Sequence, residues 1–423
     1  MTEVLLKELL LHPVRNGVYK PKDQHGSGVD IVNMGELFAY DRIVDQSMKS
    51  LELTDSEKAR FLLVCGDLLF ARRSVQLAGS GKVSIIGDID RDLTFESSII
   101  MARLNQTIAF PLYYFYLFSS SIGKAITQSI TTGTNVSGIR GSALMEVTVP
   151  HPSLPNQKKI ASVLSAYDDL IENNERRIKI LEEMAQSIYR EWFVNYRFPG
   201  HENVKMVDSK LGEIPEGWET KCLSDVAEVV DCLHSKKPDE EFDSELFAGM
   251  LLQVWNIGEA GKLDLSKKYQ INESDYVRWT SRIELRGGDC VITNVGRIGA
   301  VARIPSGIKV ALGRNMTGVR PRDIPPEFLN SYLQSSHFED EVRLKQDSGT
   351  IMGSLNVRGI VRLNITIPPQ DVFDSHRQII NPITKELDNL VVASQNLRQT
   401  RDLLLPKLIS GELDVEELDI ALA

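Results

Sequence analysis

Two segments of the chain carry mostly apolar residues at alternating spacings of four and three. In the first segment these positions are Ile160, Leu164, Tyr167, Ile171, Asn174, Ile178, Leu181, Ala185, Ile188 and Trp192. In the second segment they are Ile383, Leu387, Leu390, Ser394, Leu397, Arg401, Leu404 and Leu408. This spacing is typical of the heptad seam of a coiled coil. The pattern therefore predicts two long amphipathic helices, each with a seam that needs a partner.

The two predicted helices are expected to pair with each other. Each seam has a polar residue near its middle, Asn174 in one and Ser394 in the other. Such positions cost stability but can fix the register of a helix pair. The alternative is two independent helices, each packed on its own domain. Pro406 is expected to bend or end the second helix, and Asn381 with Pro382 suggests a cap and first position at its start.

The remaining sequence consists of short β-rich runs and helical stretches between turn residues. The runs include Phe61 to Val64, Leu68 to Phe70, Val83 to Ile86 and Val291 to Thr293, separated by Gly, Asp and Ser. Short runs bounded in this way are typical of strands. An α+β domain is therefore predicted before each long helix.

The chain also repeats itself at a distance of about 220 residues. The matching segments keep their order along the chain, which predicts two homologous halves. They are Val32 to Glu36 with Trp255 to Glu259, Gly66-Asp67 with Gly288-Asp289, Thr132 to Thr134 with Ser348 to Thr350, Asn135 to Ile139 with Asn356 to Ile360, and Val147 to Pro150 with Ile365 to Pro368.

Charge gives a mixed indication about nucleic acid. The formal net charge of −10 argues against it, because phosphate binding depends on Lys and Arg. The stretch from Arg278 to Arg322, however, holds nine basic residues against only Glu284 and Asp289. This stretch is compatible with a phosphate-binding patch, and the alternative is an ordinary solvated surface.

We find no pattern typical of an enzyme, a metal site or a membrane protein. Gly79 to Ser84 resembles a phosphate-binding loop but departs from that motif at Gln76 and Val83. The four cysteines are far apart, and no metal-binding spacing is present. No apolar run approaches the roughly 18–20 residues of a membrane-spanning helix, so a cytoplasmic protein is expected.

If the chain binds DNA, residue type and position suggest which side chains make contact. Arg can read guanine and Asn can read adenine through two hydrogen bonds in the major groove. The candidates lie in polar turns beside apolar runs. They are Arg72, Arg73, Ser74 and Lys82 in the first half and Asn294, Arg297, Arg314 and Asn315 in the second.

Four segments resemble the specificity subunits of Type I restriction–modification systems. They are Leu154 to Ile160, Asp168 to Arg176, Gly212 to Trp218 and Leu404 to Leu413. The chain departs from that family at Phe373 to Gln378, where the usual form is Pro-x-x-x-Gln, and the amino terminus has no counterpart of Ile214 to Trp218.

The resemblance implies an α+β fold with two homologous target-recognition domains, separated by two long helices that pair as an antiparallel coiled coil. It implies domains at 1–150 and 211–370 and conserved helices at 151–210 and 371–423. The helices would act as a spacer and dock modification subunits. The seam positions assigned to this role are Ile160, Leu164, Ile171, Asn174, Ile178, Leu181, Ile188, Leu387, Leu390, Leu397 and Leu404.

The resemblance also implies partners and cofactors. Double-stranded DNA with a two-part target would be bound by this chain, together with two adenine-methylating modification subunits and ATP-dependent restriction subunits. S-adenosylmethionine, ATP and Mg²⁺ would bind to the partner subunits, and this non-catalytic chain would hold no cofactor or metal. A coiled-coil scaffold without DNA readout and an unrecognised enzyme are the alternatives.

Overall fold

The computed structural model describes residues 2–21, 24–74, 79–133, 137–232, 234–258, 261, 263–265, 267–346, 353–416 and 418. The chain divides into two compact units. The first unit comprises Met1–Asn173 and Ser394–Ala423, and the second comprises Asn174–Ala393. The predicted four-domain division at 1–150, 151–210, 211–370 and 371–423 stays a prediction. No helix in the described part of the chain is long and apolar enough to cross a membrane.

The first unit is an α+β structure built on a five-stranded sheet with the order β2-β10-β6-β8-β4. A second sheet has the order β5-β3-β9, and β1 pairs with β12 and β7 with β11. The strands are β1 Thr2–Leu5, β2 Arg15–Asn16, β3 His25–Val32, β4 Arg42–Ile43, β5 Lys49–Leu51, β6 Leu68–Ala71, β7 Arg73–Ser74, β8 Val83–Ile86, β9 Leu93–Phe95, β10 Ile99–Ala102, β11 Ser137–Gly138 and β12 Thr148–His151. The helices are α1 Leu6–Leu9, α2 Met34–Ala39, α3 Asp55–Phe61, α4 Pro111–Ser119, α5 Ser121–Ser129, α6 Gly141–Met145 and the amino-terminal part of α7 Leu154–Tyr189.

The second unit contains two four-stranded sheets, with the orders β16-β23-β20-β21 and β18-β17-β22-β19. Two further pairs are β13 with β14 and β15 with β24. The strands are β13 Met206–Ser209, β14 Gly212–Pro215, β15 Glu219–Cys222, β16 Ala227–Asp231, β17 Gly249–Leu251, β18 Gln270–Ile271, β19 Glu284–Leu285, β20 Cys290–Thr293, β21 Val301–Arg303, β22 Val310–Ala311, β23 Met316–Pro321 and β24 Asn364–Ile367. The helices are α8 Leu223–Val226, α9 Glu273–Thr280, α10 Pro326–Leu333, α11 Ser336–Lys345, α12 Val357–Val361 and most of α13 Gln370–Ser410.

The two units share a hydrogen-bond network, as expected from the predicted duplication. Buried Asp67 binds Arg103 through both carboxylate oxygens, at 2.7 and 2.6 Å, and buried Asp289 binds Arg320 in the same way, at 3.0 and 2.6 Å. Each arginine also donates to a backbone carbonyl, of Leu62 at 3.0 Å or of Glu284 at 2.6 Å. A fully desolvated carboxylate needs such partners, so the shared network fixes the start of strands β6 and β20 in the same way.

The hydrogen bonds shift three of the sequence-based matches between the halves. Arg72 and Asn294 directly follow the equivalent strands β6 and β20, and their carbonyls accept from the N–H groups of Ile139 and Leu355, so Ile139 corresponds to Leu355 rather than to Ile360. Asn33 and Gln253 each donate from the side-chain amide to the carbonyl two residues back, which makes these two residues equivalent. Asn33 had been aligned with Asn256. Val149 lies opposite Val4, and Ile365 lies opposite Lys221, so Val149 corresponds to Ile365 rather than to Ile367. Glu259 and residues 134–136 lie outside the described residues, as do the phosphate-loop position Gln76 and residues 347–352.

The two long helices pair antiparallel within each unit, as predicted. In the first unit Arg401 of α13 donates to Asp168 of α7 at 2.5 Å, and Lys159 donates to the carbonyl of Glu416 at 2.7 Å. In the second unit Arg177 contacts Glu386 at 2.5 Å, and the rings of Trp192 and His376 are 5.7 Å apart. Glu416 lies in the segment after α13, and Trp192 lies in the helical turn after α7. In both units the residue number therefore rises along α7 and the turn after it while it falls along the segment after α13 and α13 itself.

The seam positions assigned from the sequence are all buried or half-buried. The predicted helix start at Pro382 was wrong, and the helix does not end at Pro406, because α13 begins at Gln370 and continues through both prolines to Ser410. A bend at Pro406 stays a prediction. A proline inside a helix removes one backbone hydrogen bond. The packing of the seam on both sides offsets that loss, for example at buried Ile383 and Leu408.

Candidate nucleic-acid interface

The candidate DNA-contacting residues lie where strands β6 and β20 end. Arg72 and Asn294 are the residues that follow these strands, and their backbones are bound in the same pattern. Arg72 donates its N–H to Ser98 and accepts from Ile139, while Asn294 donates to Asn315 and accepts from Leu355, all at 2.8–3.0 Å. Arg72 and Asn294 are therefore equivalent positions with different side chains.

A loop leaves the sheet at these positions and returns through a glycine in each unit. Gly81 has φ 80° and donates to Ala71, and Gly299 has φ 74° and donates to Thr293, both at 2.9 Å. A positive φ is adopted readily only by glycine, so the return point of each loop is fixed by the sequence. The sheet holds both ends of the loop, which leaves the side chains between them to vary without changing the fold.

In the first unit the four candidates differ in exposure and in their hydrogen bonds. Arg72 is half-buried and donates to the carbonyl of Ser97 at 3.3 Å, whereas Arg73 is exposed on β7. Ser74 is half-buried on the same strand, and its carbonyl accepts from Ser137 at 3.2 Å. Lys82 donates to Asp41 at 3.0 Å and to the carbonyl of Phe38 at 3.1 Å.

In the second unit Asn294 is used inside the protein. Asn294 is 9% exposed, and its side-chain amide exchanges hydrogen bonds with Thr317 at 3.0 and 3.1 Å and donates to the carbonyl of Leu355 at 3.0 Å. A base contact by this amide would require these bonds to break. Exposed Arg297 donates to the carbonyls of Ile257 at 2.8 Å and Gly258 at 3.2 Å, so its guanidinium holds a neighbouring segment.

Arg314 and Asn315 form an exposed turn between β22 and β23. Asn315 has φ 60°, a left-handed conformation that asparagine tolerates better than most residues. Since Asn315 accepts from the backbone of Asn294, and Asn294 accepts from Leu355, three chain segments meet at this end of the sheet. The structure thus brings Asn294 and the Arg314–Asn315 turn together, and the assignment of DNA contacts stays a prediction.

The basic stretch from Arg278 to Arg322 does not form a patch of nine unpaired cations. Four of its arginines are paired with carboxylates. These pairs are Arg278 with Asp275, Arg303 with Asp388, Arg320 with Asp289 and Arg322 with Glu228. Three of these carboxylates come from outside the stretch, which is why counting charges within it overestimated the local positive charge.

Sequence reasoning missed the exposed aromatic residues beside these loops. Trp255 is 48% exposed, and Phe38 and Tyr40 in the first unit are each 41% exposed. A single aromatic residue in a polar segment gives no periodic pattern, so only a search for isolated aromatics near glycine turns could have found them.

The described residues contain no cluster of His, Cys, Asp and Glu that could hold a metal ion. Burial raises the pKa of the Cys290 thiol to about 12, so this thiol stays protonated and unreactive at neutral pH. Cys290 is the first residue of the inner strand β20 and is fully buried, so it behaves as a small apolar residue.

Comparisons with known proteins agree on one family. A family model described as "Type I restriction modification DNA specificity domain" matches twice, at residues 21–183 and 215–397. The MjaIX specificity subunit of a Type I restriction enzyme from Methanocaldococcus jannaschii is 29% identical over 323 residues, which cover 72% of this chain and 70% of that protein. The putative MjaX specificity subunit from the same organism is 22% identical over 96% of this chain and 92% of its own length.

A solved structure supports the fold. The S subunit of a Type I restriction–modification system from M. genitalium aligns over 96% of each chain with a TM-score of 0.55 and 14% identity. Because two copies of the family model together match most of this chain, in the two halves that the internal repeat predicted, the chain belongs to the Type I restriction–modification DNA specificity family.

Proposed function

We propose that this chain is the DNA specificity subunit of a Type I restriction–modification complex and that each unit reads one half of a two-part target. One observation carries the proposal. The same strand, glycine turn and Asp–Arg network occur twice, yet the exposed aromatic residues beside the loops differ, with Phe38 and Tyr40 in one copy and Trp255 in the other. A conserved frame with different side chains at its loops suits the reading of two different half-sites.

The partner subunits would carry the chemistry. The chain is a non-catalytic member of its family. Modification subunits would bind S-adenosylmethionine and methylate adenine, and restriction subunits would use ATP and Mg²⁺. Because the complex would act on cellular DNA, we expect it to be cytoplasmic. Purified chain mixed with S-adenosylmethionine and DNA is expected to transfer no methyl groups, as measured with radiolabelled cofactor, and transfer by the single chain would contradict its role as a specificity subunit.

The outer faces of the long helices are the surface on which we expect the modification subunits to dock. The seam residues that the sequence assigned to docking are buried or half-buried and serve the pairing of the helices. Large apolar residues that remain exposed on these helices are Leu170, Ile180, Met184, Ile379, Val392 and Leu403, at 40–69% exposure. Exposed apolar residues on a rigid element are typical of protein interfaces.

The test is a selection of bound sequences from a randomised duplex pool by the chain assembled with its modification subunits. We expect the bound duplexes to share two short sequences. The spacer between them should have a constant length but no preferred bases. Binding should weaken steeply as salt rises, because phosphate contacts release counterions. A protein-binding scaffold, the alternative function, would enrich no sequence and would show no salt-dependent DNA binding.

A further inference from the structure

Trp255 differs from the other tryptophans of the chain. Trp192, Trp218 and Trp279 are 8%, 6% and 4% exposed, whereas Trp255 is 48% exposed. All four lie within the described residues. An indole offers one of the largest apolar surfaces of any side chain, so an exposed one can contribute a large contact area to a partner.

The segment that carries Trp255 is held firmly. Trp255 lies in the 3-10 helix Val254–Asn256 that follows β17. The next residue, Asn256, is fully buried and donates from its amide to the carbonyls of Asp264 and Lys267, both at 2.8 Å. The indole is therefore displayed from an anchored turn, and binding would not have to order the segment first.

Positive charge lies beside this indole. The Lys267 ammonium is 4.9 Å from the centre of the Trp255 ring, and Arg297 is bound to the carbonyls of Ile257 and Gly258 just after it in the chain. We call Trp255, Lys267 and Arg297 the Trp255 cluster. An aromatic surface flanked by cations suits a polyanion with apolar faces, which is the chemistry of nucleic acid.

The first unit has a related but not identical arrangement. Since Asn33 is equivalent to Gln253, the position that matches Trp255 is Gly35, which has no side chain. Exposed Phe38 lies slightly further along, and its carbonyl accepts from the Lys82 ammonium at 3.1 Å. Each unit thus places an aromatic residue beside a cation after β3 or β17, but the two residues differ in identity and position.

We propose that the Trp255 cluster is a DNA-contact site of the second unit, in which the indole makes apolar contact with bases of one half-site while Lys267 neutralises a phosphate. The assignment rests on the proposed function and deepens it, because it makes Trp255 a specificity residue. Apolar side chains contact the methyl group of thymine in the major groove, or enter between base steps from the minor groove. The corresponding contact in the first unit would come from Phe38, so the two half-sites are read with different aromatic geometry.

The experiment uses four variants of the full chain, assembled with its modification subunits, on a duplex selected by the parent protein. Trp255→Ala should bind this duplex about tenfold more weakly with an unchanged salt slope, because an apolar contact releases no counterions. Lys267→Ala should lower the salt slope by about 0.9, the value for one phosphate contact. The matched control is Phe242→Ala, which removes another aromatic residue of the same unit, 81% exposed, and should leave binding unchanged.

Fluorescence provides a second measurement that is independent of affinity. Trp255 is the only tryptophan open to solvent among the four described ones, so DNA should quench the emission of the full chain, and Trp255→Phe should lose that quenching while it still binds. Trp255→Ala binding as tightly as the parent, or Trp255→Phe retaining the full quenching, would overturn the assignment. A parent complex that does not distinguish its selected duplex from a scrambled one would instead refute the proposed function.

Discussion

At the scale of single residues, Arg297 shows how a predicted base contact can have a different role. Its guanidinium is already bound to the carbonyls of Ile257 and Gly258, which lie next to Trp255 in the chain. Arg297→Ala should therefore loosen the Trp255 cluster and weaken binding several-fold through the half-site read by the second unit, with the other half-site unaffected. Binding assays with duplexes altered in one half-site at a time would measure this.

The matched control for Arg297 is Arg278→Ala, because Arg278 is an exposed arginine of the same unit whose partner is Asp275 on its own helix. This variant should bind as the parent does. An equal loss of affinity for every sequence would make Arg297 a phosphate contact, and unchanged affinity and selectivity would remove it from the interface.

His376 is a buried titratable residue whose effect can be measured as a pH dependence of stability. It is 1% exposed between Trp192 and Phe193, its Nε2 has no hydrogen-bond partner, and burial lowers its pKa to about 4 from 6.5. The folded protein keeps this imidazole neutral, while the unfolded chain takes up a proton below pH 6.5. The free energy of unfolding therefore carries no penalty from His376 above pH 6.5, and it decreases as the pH falls from 6.5 towards 4.

Between pH 7.5 and pH 5 the loss from His376 should be about 2 kcal/mol. Urea unfolding followed by tryptophan fluorescence can measure it, because Trp192 and Trp218 lie in the same core as His376. In His376→Phe the free energy of unfolding should fall by about 2 kcal/mol less than in the parent between pH 7.5 and pH 5. Because each protein is compared with itself at the two pH values, a change in its absolute stability does not affect the result. An equal pH dependence in both proteins would show that His376 does not titrate in this way.

At the scale of elements, one ion pair ties the two long helices together in the first unit. Asp168 of α7 accepts from Arg401 of α13 at 2.5 Å and from the Tyr116 hydroxyl of α4 at 2.6 Å. Asp168 is only 17% exposed. Breaking a largely buried ion pair is costly because the remaining charge loses its partner, so Asp168→Asn should destabilise the protein by about 2 kcal/mol in urea unfolding.

Asp402 offers a matched control for Asp168. It also binds Arg401, at 2.8 Å, but it is 62% exposed, and exposed ion pairs contribute little. Asp402→Asn should change stability by less than about 0.5 kcal/mol. Equal effects of the two substitutions would mean that burial does not decide the strength of this network.

The heptad pattern was sufficient to predict the helix pair but not its ends. Apolar spacing reports which face is buried, and the seam positions from Ile160 to Leu404 are indeed buried or half-buried. Propensity rules placed a helix start at Pro382 and allowed an end at Pro406, and the helix continues through both residues. The Arg401–Asp168 pair was also out of reach, because it joins residues far apart in the sequence.

At the scale of the whole molecule, the sequence repeat predicted two homologous halves, and short matches could not give their alignment. Gly66-Asp67 and Gly288-Asp289 were matched as the structure has them, because a positive φ and a buried carboxylate demand those residue types. Asn33 and Val149 were matched to residues three and two positions away from their equivalents. The exposed loops have no such physical requirement, so base contacts could be suggested only by residue type.

The last prediction treats the two long helices as the element that sets the distance between the half-sites. Both seams follow the heptad spacing, so seven residues added after Asn174 and seven after Ser394 keep each seam in phase. The insertions lengthen each helix by about 10 Å. DNA rises about 3.4 Å per base pair, so the gap between half-sites should grow by roughly three base pairs, while the two half-site sequences stay the same.

Selection from a randomised duplex pool by the assembled methyltransferase measures the gap directly. Three added base pairs also turn one half-site around the duplex by roughly 100°, so the extended protein is expected to bind its new target more weakly than the parent binds the original. The length of the gap between the half-sites decides the test. The rotation of one half-site around the duplex would lower the affinity but would not bring the gap back to its original length. Tight binding at the original gap, or a change in either half-site sequence, would mean that the helices do not set the spacing.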